Sequence, residues 1–307
     1  MQNEKYPKLR GRFAGEITLC WSIIFVTIAL ANHLGWWFYP LACLVIGNRQ
    51  VALLLLTHEA VHGSLMAKRR WNDFVGRWLC AFPILVSLSK YRKLHHFHHH
   101  SVGDPERDPD LHLYDYLPLS AARFFSGLFV YALSLRLFVA FLAYLTEWPE
   151  LLQRKRALNG QLLALSKASD FVGLMIFQAA LWSVLLLTHH FNGYVLYFLL
   201  PMIFVMQPHV IFGNAFQHGP LNDGKARTLL GAKWWMEILF PCDINFHGEH
   251  HLNPSVPHYW LRQMSKDLSA TGTGIQWQEN LPGAWKHVFQ KEVEVISSDL
   301  GRAGSCR

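Results

Sequence analysis

Charge is scarce in this chain: Lys, Arg, Asp and Glu make up 16% of it, against about 25% in ordinary soluble domains. Set beside 51% apolar and 14% aromatic residues, that shortage excludes intrinsic disorder, which needs much charge and little to bury. Cysteine is sparse as well. Cys20, Cys43, Cys80, Cys242 and Cys306 lie without a pairing rhythm, which excludes a disulfide scaffold or a Cys-based zinc module. No G-x-G-x-x-G fingerprint for a nicotinamide or flavin cofactor is present. A cleavable leader is not expected, because the first apolar stretch continues into a hairpin and no A-x-A-like site follows it.

What the chain has instead is long apolar runs and histidine. Runs near the length that crosses a bilayer, roughly 20 residues, cover about residues 13–31, 37–56, 171–187 and 194–212. Short turns, Ala31 to Trp36 and Thr188 to Gly193, join them into two hairpins. The second run opens with Trp-Trp-Phe-Tyr-Pro, aromatics suited to a headgroup interface. Trp71 to Leu88 carries Asn72, Asp73, Arg77 and Pro83, too polar to cross lipid. Phe124 to Leu145 reads as an interfacial helix with Arg136 snorkelling, provided the early and late histidines belong on one side. Of the 28 Lys and Arg residues, 27 fall on one side of these spans and Arg49 lies within one. The positive-inside rule makes that side cytoplasmic. Basic charge is therefore topology and headgroup contact, and nucleic acid is not an expected partner.

The expected fold is an all-α integral membrane protein forming one domain, residues 1–307. Four transmembrane helices in two hairpins are joined by interfacial helices and a cytoplasmic histidine-rich cap, 57–170 and 214–263. The polar stretch 264–307 reads as a cytoplasmic tail without visible chemistry.

Histidine is the outlier, 18 residues of 307. His58-Glu59-Ala60-Val61-His62 follows the second span, and imidazoles at i and i+4 share one helix face. The run His95-His96-Phe97-His98-His99-His100 offers H-x-x-H-H in two registers, His95/His98/His99 or His96/His99/His100. In that spacing the first and last rings share a face while the middle one is rotated by about 100°. The triad can thus present ligands in two directions, which suits two neighbouring metals. His247-Gly248-Glu249-His250-His251 repeats the spacing, and Asn214 and His218 form an i, i+4 pair at the end of the fourth span. Nine imidazoles can converge, whereas a tetrahedral zinc takes four ligands. His33, His112, His189, His190, His258 and His287 read as interfacial or solvated side chains. A low-affinity metal-buffering tract explains one cluster but not four beside span ends.

These residues resemble the membrane fatty acid desaturase superfamily, with its pattern H-x(3,4)-H, H-x(2,3)-H-H and H-x(2,3)-H-H. HEAVH, HHFHH and HGEHH supply it in that order. YRKLHHFHHH followed by ERDPDL, and HGEHHLNPSVPHY, resemble the bacterial lipid desaturase branch and favour the register His95, His98, His99. The likeness extends from about Arg49 to Trp260. It implies two iron ions with O2 as co-substrate, held by His58, His62, His95, His98, His99, His218, His247, His250 and His251. Asn214 matches a residue that holds a metal through water. Glu59, Asp108, Asp110 and Glu249 are the nearest carboxylates to orient the rings. A bacterial inner-membrane location follows from the same branch. The patch Gly47-Asn48-Arg49-Gln50 also resembles a polar patch of that branch.

The implied activity is an acyl lipid or acyl thioester desaturase. A lipid hydroxylase or carotenoid ketolase shares the first hydrogen abstraction and is the alternative. The substrate supplies two electrons, so two more come from a separate ferredoxin, rubredoxin or cytochrome docking on the basic face. Two readings come from other classes. HEAVH satisfies the H-E-x-x-H signature of a membrane-embedded zinc metalloprotease with Glu59 as base, which leaves the other histidine clusters without a role. A metal carrier would place its ligands inside the spans rather than beyond their ends.

Overall fold

The computed structural model describes residues 5–9, 11–114, 117, 119–133, 168–219, 226–272 and 278–289. In chain order the first helices are α1 (Arg12–Leu34), α2 (Tyr39–His62) and α3 (Arg69–Val75), the last running into a π turn over Gly76–Ala81. Next come α4 (Leu88–Ser101), α5 (Ala121–Leu133), α6 (Ala168–Leu187) and α7 (Phe191–His218). Beyond the last long helix lie β1 (Thr228–Leu230), α8 (Lys233–Leu239), α9 (His247–Leu252), α10 (His258–Ala270), β2 (Gln278–Asn280) and α11 (Leu281–Val288). The two strands pair in parallel, Thr228 opposite Gln278.

Four of these helices, α1, α2, α6 and α7, are long and apolar enough to span a bilayer, and the chain is an integral membrane protein. Gly35, at φ 90°, ends α1 and turns the chain directly into the second span. Trp36 is 87% exposed and Trp37 63% exposed at this corner, as an aromatic belt requires. α2 continues beyond the expected end of its span, so HEAVH forms its last turns. Gly63, at φ 75°, then closes the helix as a left-handed cap that a side chain would strain.

Inside lipid every backbone carbonyl needs a partner from the protein. π turns break the regular ladder of α7 at Val195–Leu199 and Met202–Met206. Polar side chains of α2 reach the carbonyls there: Gln50 Nε2 donates to Phe198 O at 2.8 Å and the Tyr39 hydroxyl to Leu196 O at 2.7 Å. The π turn after α3 is treated alike, with Trp21 Nε1 donating to Leu79 O at 3.0 Å and Gln178 Nε2 to Phe82 O at 2.6 Å. Polar residues that look like interruptions of the spans therefore join them.

Two polar knots bring the histidine-bearing ends together. Arg92 of α4 donates to the carbonyls of Ala60 at 2.7 Å and Val61 at 3.0 Å, the last turn of α2, and is paired to Asp73. Asp170, buried at the start of α6, accepts from Ser87 Oγ at 2.6 Å and from the Ser89 amide at 2.9 Å, and pairs with Arg77. α2, α4 and α6 are thus tied where they leave the lipid. One apolar core lies among the spans around Ile24, Leu53 and Phe82, and a second beneath the cap around Phe216, Leu229 and Phe240.

One expectation changes. His258, expected at an interface or in solvent, is buried, with its Nε2 2.9 Å from Glu16 Oε2, so it fastens α10 to α1. Over its described part the stretch from Met264 packs against the rest of the chain. β2 pairs with β1, and Val288 and Phe289 lie in the second core. α5 buries Phe124 and exposes Phe129 and Val130, but most of the expected interfacial segment, residues 134–145 with Arg136, lies outside the described residues.

Candidate metal centre

Three helix ends and α9 place nine imidazoles in two groups. His58 and His62 from α2, His95 and His99 from α4, and His250 from α9 form the first; His98, His218, His247 and His251 form the second. Within each group one ring nitrogen per residue lies within 4.8 Å of all the others. The arrangement follows from helix geometry. His95 and His99 share a face of α4 and enter the first group, while His98, rotated around the helix, enters the second. α9 does the reverse: His247 and His251 join the second group, and His250 the first. The groups touch through His99 and His251, whose ring centroids are 4.2 Å apart. His96 and His100 lie outside both groups, exposed on the outer face of α4.

The nitrogens that converge are the Nε2 atoms. His99 and His95 approach at 2.9 Å, His250 and His99 at 3.0 Å, His247 and His218 at 2.9 Å, His98 and His218 at 3.2 Å. The Nε2 atoms of His58 and His62 are buried without a hydrogen-bond partner among the described residues. Such orphaned acceptors are costly unless something else occupies their lone pairs. Burial, reinforced by neighbouring rings, pushes the pKa values of His95, His247, His250 and His251 far below the usual imidazole range. His99 is pushed down to about 2 for the same reasons. Neutral imidazoles with inward lone pairs are the protonation state a metal requires. A metal–nitrogen bond is about 2.0–2.1 Å, so neighbouring ligand nitrogens on one ion sit about 3–3.4 Å apart and opposite ones about 4 Å. The spacing in both groups fits that.

Of the four carboxylates, Asp108 touches a histidine of the centre. Its Oδ1 is 2.9 Å from His98 Nδ1, and its other oxygen accepts from the Gly103 amide at 2.9 Å and from the Tyr114 hydroxyl. Asp110 Oδ2 lies 3.9 Å from the same ring nitrogen. Glu59 accepts from Ser64 Oγ at 2.7 Å. Glu249 accepts from Gln278 Nε2 at 3.2 Å and from the Thr228 hydroxyl. Both are buried beside the centre, and their bonds anchor α2 and α9 to neighbouring segments.

A cavity of about 180 Å³ reaches the centre from among the spans. Val51, Leu54 and Leu55 of α2 form one wall, and Val210, Gly213 and Asn214 of α7 another. Leu239 and Phe240 close it from the end of α8, and His58, His95, His98, His218 and His247 face it. Asn214 is held by its own helix, Nδ2 donating to Val210 O at 2.9 Å. His209, not singled out in the sequence, also lines the cavity, with Nε2 2.6 Å from Leu239 O. Its spacing of four from Gly213 and eight from Gln217 marks the same helix face, a signal present but unread. Tyr114, Thr228 and Gln278 carry no such signal, because only the folded chain brings them near the carboxylates.

The fold and this site define a helical integral membrane protein with a histidine centre able to hold metal. The chain belongs to the fatty acid desaturase family, whose pattern it matches over residues 34–277. It is 26% identical over 274 residues to the dihydrorhizobitoxine desaturase of Bradyrhizobium elkanii, covering 84% of this chain and 74% of that protein. It is 24% identical over 287 residues to the sn-1 oleoyl-lipid 12-desaturase of Anabaena variabilis, covering 87% and 79%. A shorter match of 81 residues at 35% identity, 26% of this chain and 22% of the other, is to the sn-1 acyl-lipid omega-3 desaturase (ferredoxin) of a Synechocystis species.

Proposed function

We propose that this protein is a di-iron, O2-dependent membrane desaturase that introduces a double bond into an acyl lipid, using electrons from an external carrier. The observation that carries the proposal is the meeting of two all-imidazole groups at the inner end of an apolar cavity. His58, His62, His95, His99 and His250 would hold one ion and His98, His218, His247 and His251 the other, with Asn214 reaching the second through water. Imidazole suits iron, and bound iron would supply the reduction of O2 that side chains cannot perform. Leu54, Leu55 and Val210 would hold the acyl chain extended and exclude water along it. Asp108 fixes the His98 ring with Nε2 turned inward. The net reaction takes two hydrogens from adjacent acyl carbons and consumes O2, two external electrons and two protons, releasing two waters.

The lipid substrate is supported by the relatives named for acyl-lipid desaturation, and the carrier by the relative named for ferredoxin. The distribution of Lys and Arg supports a cytoplasmic centre. Against the protease reading, the Glu59 carboxylate is engaged by Ser64, and seven further histidines join the H-E-x-x-H pair. Expression in a desaturase-free host that contains a reduced ferredoxin system, followed by lipid profiling, tests the proposal. New unsaturated acyl chains are expected from the wild type and none from His98→Ala or His250→Ala. Retained products in both variants would overturn it.

A further inference from the structure

The cavity touches only one side of the histidine centre. Among the nine, His62, His99, His250 and His251 are not in its walls. On that other side, the His62 ring lies 5.6 Å, centroid to centroid, from the ring of exposed His96. Phe97, 37% exposed, and His100 continue this outer face of α4. The surroundings are cationic. Between Ala60 and Gly103 the sequence has one acid, Asp73, against seven cations, Lys68, Arg69, Arg70, Arg77, Lys90, Arg92 and Lys93, of which Arg77 is paired with Asp170. Asp73 is taken up by Arg92 at 2.6 Å and Arg69 at 3.2 Å. Arg92, His100 and Arg69 all act electrostatically on His96. Lys68, Arg69 and Arg70 stand exposed together at the start of α3. Lys8 is exposed nearby, its Nζ 2.5 Å from Gly63 O.

We propose that an acidic one-electron carrier protein of the iron–sulfur class docks over His96, between the start of α3 and the outer face of α4, and reduces the metal centre from the side opposite the acyl cavity. This rests on the desaturase reading above. Positive charge steers an acidic partner to this face, and Phe97 gives its contact an apolar middle. His96 spans the gap between the carrier and His62, so electrons need not cross the cavity. Two dockings serve one turnover: each oxidises one carrier and moves one electron inward, no bond to the protein forms or breaks, and solvent supplies the two protons. Substrate and reductant thereby occupy opposite sides of the centre and do not exclude each other.

The test uses the full chain, iron-loaded, in lipid nanodiscs, with a plant-type [2Fe–2S] ferredoxin as probe. Binding is measured at low and high salt, and turnover is driven either by ferredoxin or by dithionite with methyl viologen. The variant Lys68→Glu/Arg69→Glu/Arg70→Glu should bind ferredoxin at least tenfold more weakly than wild type at low salt. It should keep its metal content and its viologen-driven turnover. Lys266→Glu, exposed on α10, should bind normally. His96→Ala should bind nearly normally but lose most ferredoxin-driven turnover while retaining viologen-driven turnover. Unchanged ferredoxin affinity in the triple variant and in the single variant Arg70→Glu, or no salt-dependent binding by the wild type, overturns the docking site. Absence of viologen-driven turnover in the wild type would count against the desaturase reading instead.

Discussion

His98 lies between Asp108 and His218: its Nδ1 is 2.9 Å from the carboxylate and its Nε2 3.2 Å from the next imidazole of the second group. A carboxylate on one ring nitrogen keeps the proton there and leaves the other lone pair for a metal. Burial alone would raise the Asp108 pKa, but the bonds from His98, Tyr114 and Gly103 outweigh it and hold it down at about 2. Asp108→Asn should therefore weaken metal binding by about 10–100-fold, measured by chelator competition with metal analysis. Tyr114→Phe removes one of several bonds to Asp108 and should cost less. Equal metal affinity in Asp108→Asn and wild type would show that the carboxylate does not orient the ring.

The division into two groups makes a stoichiometric prediction. His62→Ala removes a ligand only from the first group, and His247→Ala only from the second. His247→Ala should lower bound iron from about two ions per chain to about one, His62→Ala should lower it by less, and the double variant should hold the least. Four ligands already satisfy many ions, so His62→Ala, which leaves four in its group, should retain more iron than His247→Ala, which leaves three. Metal analysis of the purified variants reads this directly. Loss of both ions from every single variant would mean that one shared site exists, not two.

Much of this division is legible in the spacing. H-x-x-H-H at helical pitch turns one imidazole away from the other two, and α4 and α9 use that rotation in opposite senses. The four spans and their turns follow from apolar run length, since lipid imposes a length that no soluble core imposes. The partners of the centre are legible only in part: Asp108 stands among four candidate carboxylates, and nothing in the spacing says which of them meets a ring. Asp108 reaches His98 through a loop, Gln278 reaches Glu249 from 29 residues away, and His258 meets Glu16 from 242 residues away. His258 misleads for a physical reason: a polar residue beside a proline reads as exposed until its buried ion partner is known. The same holds for Gln50 and Tyr39, whose purpose is set by carbonyls left open in another helix.

Acid should destabilise the metal-free protein. The depressed pKa values of His95, His99, His247, His250 and His251 mean that the unfolded chain binds more protons than the folded one below about pH 6.5. Their contribution is fully present above that pH and is lost as pH falls toward the folded values. His258 has the opposite sign, because its bond to Glu16 raises its pKa against the pull of burial. It stabilises below about pH 6.5 and ceases to do so as pH rises through its folded value. Five groups outweigh one, so Tm should fall by at least about 5 °C between pH 7.5 and 5.5. His99→Gln should flatten that slope and His258→Gln should steepen it. A Tm independent of pH over this range would contradict the burial of neutral imidazoles.

Gly213 has no partner that requires a glycine. It is helical, and a Cβ built on it would meet nothing within 4 Å, unlike Gly47, whose Cβ would come within 2.4 Å of Val205. A helix-interior glycine costs about 1 kcal/mol relative to alanine. The space it leaves opens into the cavity, five residues and about 7.5 Å along α7 from His218. If that space is filled by the acyl chain, Gly213→Ala should raise stability slightly while narrowing the route, and Gly213→Leu should close it. Metal content should be unchanged in both. The expected outcome is a graded loss in kcat/KM, modest for alanine and at least about tenfold for leucine, equivalent to about 1.4 kcal/mol in the transition state. Product analysis over acyl chains of graded length should show the longest chains losing most. A leucine variant that keeps its metal, its rate and its product profile would mean that the chain does not pass α7 here.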